Sequence, residues 1–353
     1  MQTSLRDDRR LFLKNKRAMI PQSNAAVIFA DWQQELANAI SDPAELLRRF
    51  GLEQQLAMLD AALLKNFPLR VTQSYLNKMQ FGDANDPLLR QVFPLSEEAL
   101  PAEGFTLDPV GDHQAVSAPG ILQKYQGRAL LLTTGACAIH CRYCFRRHFP
   151  YSDSNPLASQ WPQTLAALKA DNSIKEVIFS GGDPLVLSDQ KLASMIADLQ
   201  QIPHLKRLRI HTRLPLVLPK RITGKLLSTL ADSRLQVVMV IHANHGNEID
   251  TETAISLKKL RQAGCELLNQ AVLLKGVNDN ADTLIDLSER LSEVQVLPYY
   301  LHLLDKVQGA QHFDVPQAQG QQLINAMRAA LPGYLVPRLV REIAGEASKT
   351  IMA

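Results

Sequence analysis

The chain has 353 residues, 46% hydrophobic and 21% charged, with a formal net charge of +3. That is enough apolar material for a sizeable core, and too mild a basic balance for a nucleic-acid-binding tail. Four cysteines, three of them within residues 137–144, exclude a disulfide framework and point to a reducing compartment.

The first residues, MQTSLRDDRRLFLKNKRAM, are charged throughout and lack the apolar stretch of a signal peptide. No apolar run reaches the roughly 18 residues of a membrane span. A cytoplasmic protein without membrane or nucleic-acid contact is expected. Residues 1–105 read as a helical region and linker. SDPAELLRRFGL opens on a cap signal, EQQLAMLDAALLKNF carries apolar residues at helical spacing, and PLSEEALPAEGFTLDPVGDHQAVSAPG follows as a loop.

The remaining residues, 106–353, change texture. Strand candidates ALLLTTG, EVIFSGG, LKRLRIHT, LQVVMVIHA, ELLNQAVLL and VLPYYLHLL alternate with helices such as SDQKLASMIADLQQI, TETAISLKKLRQAG and ADTLIDLSERLSEV. Six such alternations predict an α/β fold of parallel βαβ units, as an open sheet or a barrel. Reactive and polar groups collect just after the strands: Cys137, Ser180 to Asp183, His211 to Arg213, His242 to His245, Gln270 and Asp305. Ligand sites of parallel α/β folds form at those strand ends.

TTGACAIHCRYCFRRHFP places Cys137, Cys141 and Cys144 in a Cys-x3-Cys-x2-Cys pattern. Thiolates hold both zinc and iron–sulfur clusters. Zinc would need His140, His148 or Cys265 as a fourth ligand, and no second Cys-x2-Cys knuckle follows. Cys265 sits behind Gly264 and reads as a small core residue. Three thiolates leave one iron of a four-iron cluster open, and an open position is where a metal site does chemistry.

This pattern after a first barrel strand resembles that of the radical S-adenosylmethionine enzymes. The resemblance implies a partial (β/α)6 barrel, a [4Fe–4S] cluster on the three cysteines, and S-adenosyl-L-methionine chelated to the open iron as the source of a 5′-deoxyadenosyl radical. VIFSGGDPL, with Ser180, Gly181, Gly182 and Asp183, is similar to the family's segment for the cofactor's amino group. Asp183 would accept from that amine, and His242 joins the same site.

CRYCFRRHF, SGGDPL, RLPLVLPKRIT, HANHGNEI, NQAVLLKGVND and PYYLHLLDKVQGAQHF narrow the resemblance to the lysine 2,3-aminomutase family, from about residue 65 to the end. That family is made of isomerases that shift an amino group between adjacent carbons with pyridoxal 5'-phosphate. The resemblance places the cofactor lysine at Lys349 in GEASKTIMA, with Lys275 and Lys306 as alternatives. The preceding YLVPRLVREIAG reads as a strand and turn that tie the tail down. The resemblance puts Lys124, Tyr125, Arg128 and Gln270 around the cofactor phosphate, and Arg146 on the substrate α-carboxylate. Asp305 and Glu342 would meet a distal amine, which implies lysine rather than glutamate as substrate.

Departures from the family are a lysine at 124 for its arginine, a glutamate at 342 for its aspartate, and fewer glycines before Lys349. The longer reach of Glu342 bears on regiochemistry and product handedness. The chain ends at Ala353 without the zinc-binding cysteines of the long lysine-degrading enzymes. The short form resembles the branch that converts (S)-α-lysine to (R)-β-lysine for elongation factor P. That resemblance implies a ligase acting on elongation factor P as the next partner, and a reductant protein such as flavodoxin or ferredoxin. The competing expectations are a catabolic lysine enzyme, a glutamate 2,3-aminomutase, and a zinc-stabilised module for RNA or the ribosome.

Overall fold

The computed structural model describes residues 32–58, 67–151 and 160–353. The charged opening segment and much of EQQLAMLDAALLKNF lie outside the described residues. Within that stretch Glu53–Met58 forms a 3₁₀ helix instead of the expected α-helix. The preceding helix Pro43–Phe50 is as expected. Asp42 caps it by accepting from the Ala44 N–H, and Gly51, at φ 66°, ends it in the left-handed conformation. Its buried face is Leu46, Leu47 and Phe50.

Ten strands form one sheet in strict chain order. They are β1 (Val116–Ala118), β2 (Ile121–Leu122), β3 (Arg128–Thr134), β4 (Glu176–Gly181), β5 (Arg207–Thr212), β6 (Gln236–Ile241), β7 (Glu266–Val272), β8 (Leu297–His302), β9 (Arg338–Arg341) and β10 (Thr350–Ile351). Pairing from β3 through β9 is parallel, whereas β1, β2 and β10 add antiparallel edges. The six strands read from the sequence are β3 to β8, and YLVPRLVREIAG supplies β9. Helices Asp189–Gln200, Thr251–Gln262 and Ala281–Glu293 are the expected crossovers, capped by Ser188, Asp250 and Asn280. Each crossover returns the chain to the adjacent strand, so sequence neighbours are sheet neighbours. The result is the partial barrel anticipated above.

Side-chain alternation decides where chemistry goes, because successive strand residues point to opposite faces. Ala129, Leu131, Val177, Phe179, Leu208, Ile210, Met239, Leu267, Ala271 and Leu301 join the apolar core under the helices. Their alternates, Arg128, Ser180, His211, Gln270 and His302, share the opposite, inner face. Cys265 is fully buried within the apolar core, as expected.

The segment 67–100 packs on the carboxyl ends of the strands. Lys78 is buried there, and its ammonium donates to the Leu216 carbonyl (2.6 Å), the Glu248 carbonyl (2.9 Å) and Thr253 Oγ1 (2.6 Å). A buried ammonium is tolerated only with its donors filled, so this lysine fixes the helical segment to the barrel.

Candidate active site

The cysteine loop leaves β3 and is held from two sides. From the N-terminal segment, the Arg70 carbonyl accepts the His140 N–H at 3.0 Å and the Gln91 carbonyl accepts that of Arg142 at 2.9 Å. From β4, Gly182 and Asp183 donate backbone N–H bonds to Thr134 and Ala136 at 2.7 and 2.9 Å. This approach requires glycine. A Cβ at Gly181, where φ is 117°, would lie 2.5 Å from the Thr134 oxygen, and one at Gly182 would lie 2.2 Å from the Ala136 oxygen. The glycines therefore bring β4 against the cysteine loop itself.

Asp183, expected to accept from a cofactor amine, is also engaged within the fold. Its Oδ1 accepts from Thr212 Oγ1 (2.7 Å) and the Leu185 N–H (3.0 Å), and its Oδ2 from the Arg213 N–H (2.6 Å). Burial pushes its carboxyl up to about 6 against the pull of these bonds. These bonds tie the exit of β5 to that of β4.

The three thiols are unbridged. Burial, and then the neighbouring thiols, raise Cys137 well above the ordinary thiol range and push Cys144 up to about 11. Cys137 and Cys144 become thiolates more readily with positive charge beside them, which an iron cluster supplies. Among the described residues no three His, Cys, Asp or Glu side chains are gathered tightly enough to hold one metal ion. Of the zinc alternatives, Cys265 lies in the core, while His140 and His148 each pair one ring nitrogen with a carbonyl, of Pro68 and Gln308, and keep the other. A cavity of about 260 Å³ opens beside Cys137, lined by Leu36, Arg70, Ala136, His140 and Val186.

The arginines of CRYCFRRHF do not form a surface patch. Arg142 and Arg147 both pair with buried Glu98, at 2.5 and 2.8 Å. Arg146 donates through Nε to Asp112 Oδ2 (2.6 Å) and through Nη1 to Ser180 Oγ (3.0 Å). This fork stands between the cysteine loop and the inner face of β4.

A chain of charges runs onward. Asp112 pairs with Lys124 at 2.6 Å, Lys124 with Glu342 at 3.0 Å, and Glu342 with Lys349. Burial disfavours the charged form of Glu342, but Lys349 and Lys124 outweigh it and hold the carboxyl at about 2. Lys124 also donates to the Val110 carbonyl at 2.8 Å, so its ammonium is fully engaged. Arg128, by contrast, lies 4.9 Å from the Tyr125 ring centroid and has no acid partner among the described residues. Tyr125 is pushed well up by burial and by Glu342. Gln270 is on the inner face of β7, in register with Tyr300.

Unpartnered polar atoms mark the centre. Asp305 Oδ1, His211 Nε2 and His302 Nε2 are buried without a hydrogen-bond partner. All three residues feel the charge of Lys349, and burial pushes Asp305 up to about 7. Buried polar atoms of this kind are normally satisfied, so a polar small molecule fits between them. The donor set beside Lys349 suits a phosphate-bearing carbonyl cofactor: an amine, a free guanidinium and neutral imidazoles.

His242 is half-buried, with Nε2 3.0 Å from the Tyr143 hydroxyl, and its imidazole is pushed down to about 3 by desolvation and Arg213. The sequence reading did not single out the roles of Asp112, Tyr143, Arg213, Glu248 or His302. Asp112 sat in an apparent linker, and only its position as the hub between Arg146 and Lys124 distinguishes it.

The Radical SAM superfamily model matches residues 131–287. With the cysteine loop, the glycine approach and the parallel sheet, the class is that of a radical S-adenosylmethionine enzyme. Curated relatives are more specific. The chain is 48% identical over 335 residues to the L-lysine 2,3-aminomutase of Haemophilus influenzae, covering 95% of this chain and 99% of that one. It is 48% identical over 321 residues to that of Escherichia coli, covering 91% and 94%, and 34% identical over 321 residues to that of Clostridium subterminale, covering 91% and 77%. The chain belongs to the lysine 2,3-aminomutase family and is an isomerase. The family's cofactors are a [4Fe–4S] cluster, S-adenosylmethionine and pyridoxal phosphate. When bound, they supply a one-electron radical source and a π system across which an amino group can migrate.

Proposed function

We propose that this protein moves the α-amino group of (S)-α-lysine to the adjacent carbon, giving (R)-β-lysine for the modification of elongation factor P. The observation that carries the substrate is Asp305. Its Oδ1 is buried and unpartnered beside Glu342 and Lys349. A carboxylate held in that state is completed by an ammonium group, which a lysine side chain provides and a glutamate side chain does not.

The proposed assignments follow the geometry. Cys137, Cys141 and Cys144 hold the cluster, and Ser180, Gly181, Gly182, Asp183 and His242 line the adjacent S-adenosylmethionine site. Lys349 anchors pyridoxal phosphate. Arg128 is the principal phosphate cation, with Tyr125, Lys124 and Gln270 around it. Arg146, fixed by Asp112 and Ser180, meets the substrate carboxylate. Asp305 takes the distal ammonium, and Glu342 acts chiefly by holding Lys349 and Lys124, adding a second negative charge at that end. A cytoplasmic setting, a flavodoxin or ferredoxin as electron donor, and a ligase that consumes the product complete the proposal. They are carried by the family resemblance and by the low, clustered cysteine content.

The test is anaerobic reconstitution with iron, sulfide and pyridoxal phosphate, then turnover with S-adenosylmethionine and dithionite. (R)-β-lysine from lysine, by chiral chromatography, is the expected product. Turnover of glutamate alone would overturn the assignment of Asp305, and (S)-β-lysine would overturn the elongation factor P role.

A further inference from the structure

Arg213 follows directly after β5, and its guanidinium is buried between the cysteine loop and the N-terminal segment. Nη1 donates to Cys141 Sγ at 2.8 Å. Nη2 faces Tyr75 Oη (3.0 Å), Gln91 Oε1 (2.6 Å) and Glu248 Oε2 (2.9 Å). The Tyr75 and Tyr143 ring centroids lie 5.2 and 5.9 Å from its Cζ. Glu248 is fully buried and is itself fixed, with Oε1 accepting the Asn244 and His245 N–H groups at 2.8 and 3.1 Å. Asn244 Nδ2 then reaches the Tyr143 hydroxyl at 2.7 Å and Gln91 Oε1 at 3.0 Å.

A buried arginine needs a carboxylate, and Glu248 provides it. The ion pair does not require a second arm of the guanidinium to end on a cysteine sulfur. The planar guanidinium is held in place through its other arm and its face by groups from three separate parts of the chain: Tyr75 and Gln91 in the N-terminal segment, Tyr143 in the cysteine loop, and Glu248 after β6. The N-terminal segment thereby acquires a function beyond covering the strand ends.

We infer that Arg213 is a positioning residue that sets the reduction potential of the cluster through its N–H···S bond to Cys141, with Glu248 fixing its orientation and offsetting its charge. The inference rests on the reading of the three cysteines as cluster ligands. Reduction adds negative charge to the cluster, and much of that charge resides on sulfur. A hydrogen bond and a positive charge at a ligating sulfur stabilise the reduced form and raise the potential. Burial makes the effect larger than it would be in water. Glu248 acts with the opposite sign.

The experiment uses the anaerobically purified holoenzyme and Arg213→Gln, Arg213→Lys and Glu248→Gln variants. Iron content and the reduction potential are measured, the latter by an EPR-monitored titration without S-adenosylmethionine. Arg213→Gln is expected to lower the potential, Arg213→Lys to lower it less, and Glu248→Gln to raise it, all at the parent's iron content. A merely structural network would lose iron in every variant without opposite shifts. Shifts of the same sign, or no shift with full iron, overturn the inference. Should Arg213→Gln fail to hold iron, the opposite signs of Arg213→Lys and Glu248→Gln decide by the same rule. A parent protein without a four-iron signal overturns the cluster reading itself, separately from the role of Arg213.

Discussion

Lys349 stands opposite Glu342 across the antiparallel pairing of β9 and β10 and forms an ion pair with it. The hairpin register, Thr350 against Arg341, fixes that relationship, and the second carboxylate oxygen of Glu342 holds Lys124 at 3.0 Å. A lysine near the end of a chain is ordinarily a solvated tail residue. Here one short strand and one carboxylate bring it to the inner face of the sheet. Replacing Lys349 by Ala is expected to remove the absorbance of bound pyridoxal phosphate and to abolish turnover while leaving iron content unchanged. Retention of that absorbance would transfer the role to another lysine.

Asp305 gives the pH dependence a sign. Its carboxyl is pushed up by burial to about 7 in the free protein, so below that pH it is mostly protonated and cannot pair with an ammonium group. The KM for lysine should rise about tenfold for each unit below pH 7, the limiting behaviour for one required ionisation. Above pH 7 it should level. Asp305→Asn should raise KM and remove the acidic limb. The same raised value makes Asp305 unfavourable to folding as pH rises from about 4, its unfolded range, through 7. Asp305→Asn is therefore expected to raise the melting temperature at pH 8, read by a thermal melt.

Glu98 neutralises both Arg142 and Arg147 with almost no solvent access. Removing one partner of a buried ion pair costs about 3–5 kcal/mol, because the remaining charge is stranded. Glu98→Gln should destabilise the protein by that order in a denaturant titration. Its iron content should fall as well, since Arg142 and Arg147 flank Cys144.

Gly182→Ala places a methyl group against the Ala136 carbonyl, a backbone atom that cannot swing aside. Overpacking of this kind costs roughly 1–3 kcal/mol. The expected outcome is a folded protein with reduced iron content, measured by metal analysis together with circular dichroism. A Gly182→Ala protein with full iron would show that the cysteine loop can retreat without losing its ligands.

Much of the fold was legible because two periodicities are written directly into the chain. VIFSGG, RLRIHT and VVMVIHA read as strands, and the caps at Ser188, Asp250 and Asn280 begin the helices between them. The cysteine spacing was equally plain, and Cys265 was correctly assigned to the core. EQQLAM was less tractable. Its apolar spacing suits an α-helix, whereas the six residues described wind as 3₁₀, a difference that local spacing does not encode.

Roles within the site divided in the same way. Glycine at 181 and 182 is visible in the sequence, but its reason is the Thr134 and Ala136 carbonyls 2.5 and 2.2 Å from where a Cβ would stand. Asp183 looked like a ligand because an acid after paired glycines can bind an amine. Only the fold shows that its oxygens also accept from Thr212, Leu185 and Arg213. Asp112 carried no signal in its own neighbourhood, and it became a hub only when Arg146 and Lys124 arrived from opposite directions.

The sequence by itself determined the alternation of strands and helices, the triplet of thiols and the acids at 305 and 342, because spacing and side-chain chemistry are local properties. Tertiary structure alone decided which charges are already neutralised and which remain available. That depends on pairs such as Arg213 with Cys141 and Lys124 with Glu342, 72 and 218 residues apart in the chain. Burial then fixes the strength of each pairing, since the same two groups interact far more strongly away from water.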